Sequence, residues 1–264
     1  MLILRDGVFE KGQETLDKSP EYEYTCASRI TNCKSRNRTH HSPVTTHQSR
    51  YRTLRESLRK DKSMLDMLML APAILFALTI HEYAHGWVAD KLGDPTARYA
   101  GRLTLNPLSH LDPLGTMMLF LVHFGWAKPV PVDPGFFKNP KRDMMWVSLA
   151  GPAANIVSAA ILGWIVQLLV GIGLTSGYLL VILQYGVMIN VVLGIFNLIP
   201  IPPLDGSKIL MGLLPPEQAF RFQQLERKGP LILLGIILVD RWIPILSKTI
   251  GSSVRFFSRI FMGF

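Results

Sequence analysis

Between Asp143 and Asp205 the chain contains no Asp, Glu, Lys or Arg, a gap of 61 residues. Soluble domains do not keep so long a stretch free of charge, and the gap leaves room for two membrane helices of about 20 residues each. Cysteine is scarce as well. Cys26 and Cys33 are the only two, and their spacing fits no zinc or redox motif, so neither is assigned a role. No apolar core follows a basic start within the first 30 residues, so these residues do not resemble a signal peptide. Glutamate is missing from every position between Glu82 and Glu217, which limits the side chains that can complete a site around Glu82.

What is present points to a bilayer. Of the 264 residues, 48% are hydrophobic, and the formal net charge is +9. The charge is unevenly placed: residues 1–63 hold 13 Lys or Arg against 8 acids, and much of the rest falls in short loops. In a membrane protein this pattern reports topology, and no nucleic-acid partner is expected. Residues 1–63 are polar and without helical or strand periodicity, and read as a disordered basic extension. Residues 64–229 read as the core, and residues 230–264 as C-terminal membrane or interfacial helices.

Apolar runs predict spans over about Met67–Ala89, Met144–Val170 and Tyr178–Ile199. Between the first two lies a turn-rich segment, with partial alternation from Arg98 to Leu105 that suggests short strands. The apolar piece "TMMLFLVHFGWA" follows it and is too short to cross. After Asp205, "SKILMGLLPPEQAFRFQQLERKG" reads as interfacial. "PLILLGIILV" begins another helix that Asp240 and Arg241 interrupt, and the last residues read as an amphipathic surface helix. The fold class is an all-α polytopic membrane protein with three to five transmembrane helices and a small re-entrant or β-strand element between the first two.

Chemistry enters with "HEYAH" at the end of the first span. His81 and His85, at i and i+4, stand one above the other on one helix face and can reach one Zn²⁺, with Glu82 as general base toward a water. A catalytic zinc needs a third protein ligand. The extended motif of soluble metzincins requires Gly and His where Val88 and Lys91 stand. Asp205 closes the charge-free block in "NLIPIPPLDG", and ionisable groups at membrane depth are functional candidates. An Asp-Gly turn at a helix exit also accounts for it, and Asp94 in "LGDPTA" is a rival ligand. Helix parity favours Asp205: both ligand groups are expected at the C-terminal ends of their helices, so those helices must run in the same direction with one spanning helix between them. The helix near Met144–Val170 supplies it if the short piece near Leu119 dips in and returns.

Residues 91–142 hold seven Lys or Arg and residues 208–228 hold four, while "GIGLTSG" holds none, so the metal side is expected to be cytoplasmic and the protein a multi-pass component of the cell membrane. Residues 50–62, with six basic residues against two acids, contradict that orientation, and Met64 is therefore expected to be the natural start.

"HEYAH", "FGWAKPVPV", "AGPAAN" and "NLIPIPPLDG", in that order, resemble the site-2 protease family of intramembrane zinc metalloproteases, in its compact bacterial type. The resemblance runs from about Met64 to Gly229. It implies one zinc bound by His81, His85 and Asp205, Glu82 as catalytic base, and membrane-spanning or membrane-tethered proteins as substrates. It also implies that Asn155 and Asn197 lie near the site, where they help to hold substrate. Ala150, Gly151, Ala153, Ala154 and Ala159 around Asn155 independently predict close helix packing. "RYAGRLTL" or "KPVPV" offers an edge to which an unwound substrate segment adds as a strand. His110 and His123 have no partner at metal spacing and read as interfacial histidines. The alternative is a zinc-binding membrane protein without peptidase activity, either a transporter or an inactive relative.

Overall fold

The computed structural model of the chain describes residues 2–3, 44–122, 124–125, 127–174 and 177–263. Cys26, Cys33 and His123 lie outside the described residues, as does most of the N-terminal extension. From Leu68 onward the chain belongs to one compact unit.

Helix α1, Val44–Leu92, begins well before the predicted Met67. From Val44 to Ala71 there is no Gly or Pro, and Leu, Arg and Met are frequent, so local propensity carries the helix back into residues expected to be disordered. At its other end it persists to Leu92, where Gly93 takes φ +110°, a left-handed conformation that ends helices at low cost for glycine. The strands expected from Arg98 to Leu105 do not form. Asp94 accepts from the Thr96 backbone N–H (3.0 Å), Thr96–Tyr99 coils into the short helix α2, and Gly101 turns the chain at φ +65°. Turn chemistry overrides the alternation there.

The short apolar piece goes out and comes back. Helix α3, Pro113–Val122, has 10 residues, and Leu111 and Ala127 on either side of the excursion form an antiparallel bridge. Beside that bridge Lys128 N–H donates to the His110 carbonyl (2.9 Å). Between them, a two-residue strand β2, Phe124–Gly125, pairs with β1, Leu2–Ile3. A segment closed at its base in this way changes no helix parity.

Helix α4, Pro140–Gly171, starts with proline at its first position, where the missing N–H costs nothing. Helix α5 spans Tyr178–Asn197 and stops before Pro200, Pro202 and Pro203. Contacts fix the directions. His85 meets Val147 and His81 meets Asn155, so α1 and α4 are antiparallel; Gly194 lies against Pro152 while Gly186 lies against Leu162, so α4 and α5 are antiparallel too. Helices α1 and α5 therefore point the same way.

Two short helices follow, α6 (Asp205–Leu213) and α7 (Pro216–Gln223), and then α8 (Gly229–Asp240) and α9 (Ile245–Met262). Among the described residues, three helical segments are long and apolar enough to cross a membrane: Leu68–Leu92, Pro140–Gly171 and Tyr178–Asn197. A fourth crossing is available only if Pro216–Asp240 and Ile245–Met262, bent by 83°, act as one broken span. The amphipathic C-terminal helix forms as α9, and part of its apolar side packs on the other helices. Val254 packs with Ala159, Val187 and Val191, and Gln167 Nε2 donates to the Phe261 carbonyl (2.7 Å).

Candidate metal centre

Three helices meet at His81 and His85. On α4, Val147, Gly151 and Asn155 recur every four residues and so form one stripe. That stripe faces the two imidazoles. His85 Nδ1 lies 2.7 Å from the Val147 carbonyl oxygen, and His81 Nδ1 lies 2.6 Å from Asn155 Oδ1. Gly151 sits between them, where a Cβ would stand 2.5 Å from His85 Nε2 and 2.7 Å from His81 Cε1. Only a residue without a side chain lets α4 lie so close to both rings.

Asp205 arrives from the other direction. It opens α6 in place of forming a turn, and Gly206 behind it presses on the end of α5: a Cβ there would meet the Leu198 and Ile199 carbonyl oxygens at 2.3 and 2.4 Å. This close approach brings Asp205 Oδ2 to 3.1 Å from His81 Nε2 and 3.2 Å from His85 Nε2, and the two Nε2 atoms are 3.0 Å apart.

The donor set fits zinc on its own chemistry. A carbonyl oxygen can only accept, so His85 Nδ1 must carry a proton, and in the neutral ring Nε2 then presents a lone pair. Asn155 Oδ1 imposes the same on His81. Two lone pairs and a carboxylate oxygen therefore point at one place with no proton among them in that state, an arrangement that calls for a cation. The edges of this triangle, 3.0–3.2 Å, approach the edges of about 3.3–3.4 Å in a tetrahedron with zinc bonds of about 2.0–2.1 Å. Both rings also have their second nitrogen anchored, as zinc-binding histidines almost always do. Among the described residues, this is the one group of three His, Cys, Asp or Glu with such convergence.

The neighbouring face of α1 holds Glu82. Its Oε2 accepts from the Val130 backbone N–H (2.9 Å), and one turn on, Gly86 lets Val130 pack against the helix. Thus the "KPVPV" segment runs beside Glu82, whereas "RYAGRLTL", folded into helix and turn, no longer offers a strand edge.

Other candidates fall elsewhere. Asp94 is fully buried and clasps two loops, accepting from Thr96 N–H and from Asp133 N–H (2.8 Å); both oxygens are committed to that clasp, which removes it as a rival ligand. His110 is buried with Nε2 2.8 Å from the Thr104 carbonyl oxygen, apart from the metal group. Asn155 reaches the site through His81 Nδ1 (2.6 Å). Asn155 is fully buried and gives both amide hydrogens to protein acceptors, Ala77 O (3.0 Å) and Asn190 Oδ1 (2.9 Å). Asn197 is 7% exposed and turns back to its own helix, donating to Leu193 O (3.0 Å). The motif reading passed over Gly151 and the Val130 N–H. Gly151 was signalled by the small residues around it; a backbone donor leaves no trace in side-chain chemistry.

A helical membrane chain with two imidazoles and a carboxylate converging at the end of an H-E-x-x-H helix belongs to the class of zinc metalloproteases. The comparisons narrow the class. The family model described as Peptidase family M50 matches residues 172–237, which include Asp205. The protein named "Putative zinc metalloprotease YwhC" of Bacillus subtilis (strain 168) is 38% identical over 205 residues, covering 74% of this chain and 93% of that relative. "Putative zinc metalloprotease Rip2" of Mycolicibacterium smegmatis is 30% identical over 184 residues, 64% of this chain and 67% of its own. The Rip2 of Mycobacterium tuberculosis H37Rv is 32% identical over 181 residues, with 65% and 67% covered. No solved structure matches the chain. The chain belongs to peptidase family M50, the site-2 proteases. Its cofactor is zinc and its activity is that of an intramembrane zinc metalloprotease. Neither the site nor the relatives favour the transporter or inactive-relative alternative.

Proposed function

We propose that His81, His85 and Asp205 hold one zinc and that Glu82 is the general base in hydrolysis of peptide bonds of membrane-spanning or membrane-tethered proteins. The observation that carries this reading is the convergence of His81 Nε2, His85 Nε2 and Asp205 Oδ2 within 3.0–3.2 Å of one another. Zinc in that place supplies Lewis acidity, lowering the pKa of water to about 7 and polarising a carbonyl. Glu82 takes the proton of the attacking water and returns it to the leaving amine, and its hydrogen bond from Val130 N–H fixes one carboxylate oxygen while leaving the other for that exchange. A helical substrate must unwind before its peptide group is open to attack, because its carbonyls are otherwise spent within the helix. The segment 128–132, whose Val130 N–H meets Glu82, is the candidate for receiving it.

The site is assigned to the cytoplasmic side of a multi-pass cell-membrane protein. Support comes from the positive loops, residues 91–142 and 208–228, flanking the metal end of the helices, while the turn at the opposite end, Gly171–Gly177, has no charge. Metal analysis and cleavage of a tagged membrane substrate test the roles together. Asp205→Ala is expected to lose bound zinc, and Glu82→Gln to keep zinc while cleaving about 10²–10⁴-fold more slowly. A fully active Glu82→Gln protein, or Asp205→Ala with a full complement of zinc, overturns the assignment.

A further inference from the structure

We propose that Asn190 and Asn155 form a buried two-amide relay that sets the tautomer and orientation of His81, which makes Asn190, with no contact to the metal group, a positioning residue for the metal. The proposal rests on the reading of His81 as a zinc ligand.

The relay can be followed from one fixed point. The Gly186 carbonyl is an acceptor only, and an amide nitrogen of Asn190 donates to it (2.8 Å), so Asn190 must present Oδ1 on its other side. There it meets the amide of Asn155, which must answer with Nδ2 (2.9 Å). The second Nδ2 hydrogen goes to another acceptor-only group, the Ala77 carbonyl (3.0 Å). With its nitrogen spent twice, Asn155 has only Oδ1 left for His81, and His81 Nδ1 must hold the proton (2.6 Å). The lone pair is thereby confined to Nε2, the atom facing His85 and Asp205. Polarity passes from α5 through α4 to α1, and no link in it can be reversed without setting acceptor against acceptor.

Burial makes the arrangement rigid. Asn155 and Asn190 are both fully buried, with no exposed surface through which water can replace a lost partner. An unpaired amide there carries the full desolvation penalty, so flipping either group is strongly disfavoured. The two histidines are thus held differently. His85 is anchored directly on a main-chain carbonyl, whereas His81 depends on two side chains that substitution can remove. Asn190 lies in the middle of an apolar helix where a Leu would otherwise serve, and the relay accounts for its presence.

The test uses the full chain in detergent, with zinc affinity read by chelator competition and site geometry by the visible spectrum of the cobalt-substituted protein. Outer partners of metal-binding histidines are typically worth 10–100-fold in metal affinity. Asn155→Leu is expected to fall in that range, and Asn190→Leu, one step further away, to lose about 10-fold and shift the cobalt bands. The double variant should lose no more than Asn155→Leu alone, since Asn190 acts only through Asn155. Asn190→Asp, whose neutral acid donates to Gly186 and accepts from Asn155 in the same sense, should restore affinity. Should the leucine variant fail to fold, Asn190→Ala removes the same acceptor. Wild-type affinity and spectrum in a folded Asn190→Leu or Asn190→Ala protein overturns the relay, as does a double variant whose losses multiply. A wild-type protein that binds no zinc instead overturns the ligand assignment on which the relay rests, and the relay with it.

Discussion

Gly151→Ala sets two effects against each other whose sizes can be compared. Gly151 lies inside α4, in helical conformation, and alanine there is favoured over glycine by about 1 kcal/mol in helix propensity. Against this, the new methyl carbon would stand 2.5 Å from His85 Nε2, 2.6 Å from His85 Cε1 and 2.7 Å from His81 Cε1. Ordinary contact between such atoms is about 3.5 Å, so the overlap is close to 1 Å at three atoms at once. Neither ring can turn away freely, because each is tied through Nδ1 to α4 itself. Helix α4 must then retreat, or the rings must leave the metal position. Sites of this kind tolerate about 0.5 Å, and a displacement of about 1 Å is enough to cost on the order of 10²-fold in rate. Sterics win over propensity. The measurement is zinc content and cleavage rate of purified Gly151→Ala beside a melting curve, and the expected result is a folded protein with weakened zinc binding and about 10²-fold slower cleavage. A Gly151→Ala protein with full zinc and full rate would refute the close approach of α4 to the imidazoles.

Gly206→Ala is expected to be more severe for the fold, since its methyl would lie 2.3 and 2.4 Å from two main-chain carbonyl oxygens that have no rotamer to change; a loss of about 1–3 kcal/mol in a denaturation assay, with zinc loss as Asp205 moves, is the outcome to check. Asp240→Ala removes the carboxylate that accepts from Leu246 N–H (2.7 Å) and Ser247 N–H (3.2 Å) across the bend before α9, and should lower stability by about 0.5–2 kcal/mol while leaving zinc affinity unchanged.

The spans were legible in the sequence because a bilayer imposes a simple rule, about 20 apolar residues without charge, and α4 and α5 obey it. Parity was legible for the same reason: a 10-residue helix cannot cross, and the Leu111–Ala127 bridge closes the excursion. Less was visible where local chemistry competes. The start of α1 is hidden because its polarity resembles that of a disordered segment, although residues 44–67 contain no helix breaker. Arg98–Leu105 alternates as a strand does, yet the Asp94 turn and Gly101 take it elsewhere. In the site, spacing announced His81, Glu82 and His85, and Asp205 was marked by its place at the edge of the charge-free block. An asparagine in an apolar helix shows that a partner exists but not which one, and for Asn155 the partner is the ring of His81.

Glu82 and the histidines are adjacent in the chain but belong to different neighbourhoods. One side of α1 presents its imidazoles to a spanning helix, while the next side hands its carboxylate to a stretch of irregular chain outside the spans. Strength of metal retention and timing of proton transfer can therefore drift apart. With the roles proposed for Glu82 and the histidines, changes in loop length or composition around Val130 would act on the speed of the reaction, and changes along α4 on whether the protein keeps its metal at all. A lineage, or an engineer, can alter pace without endangering the ion.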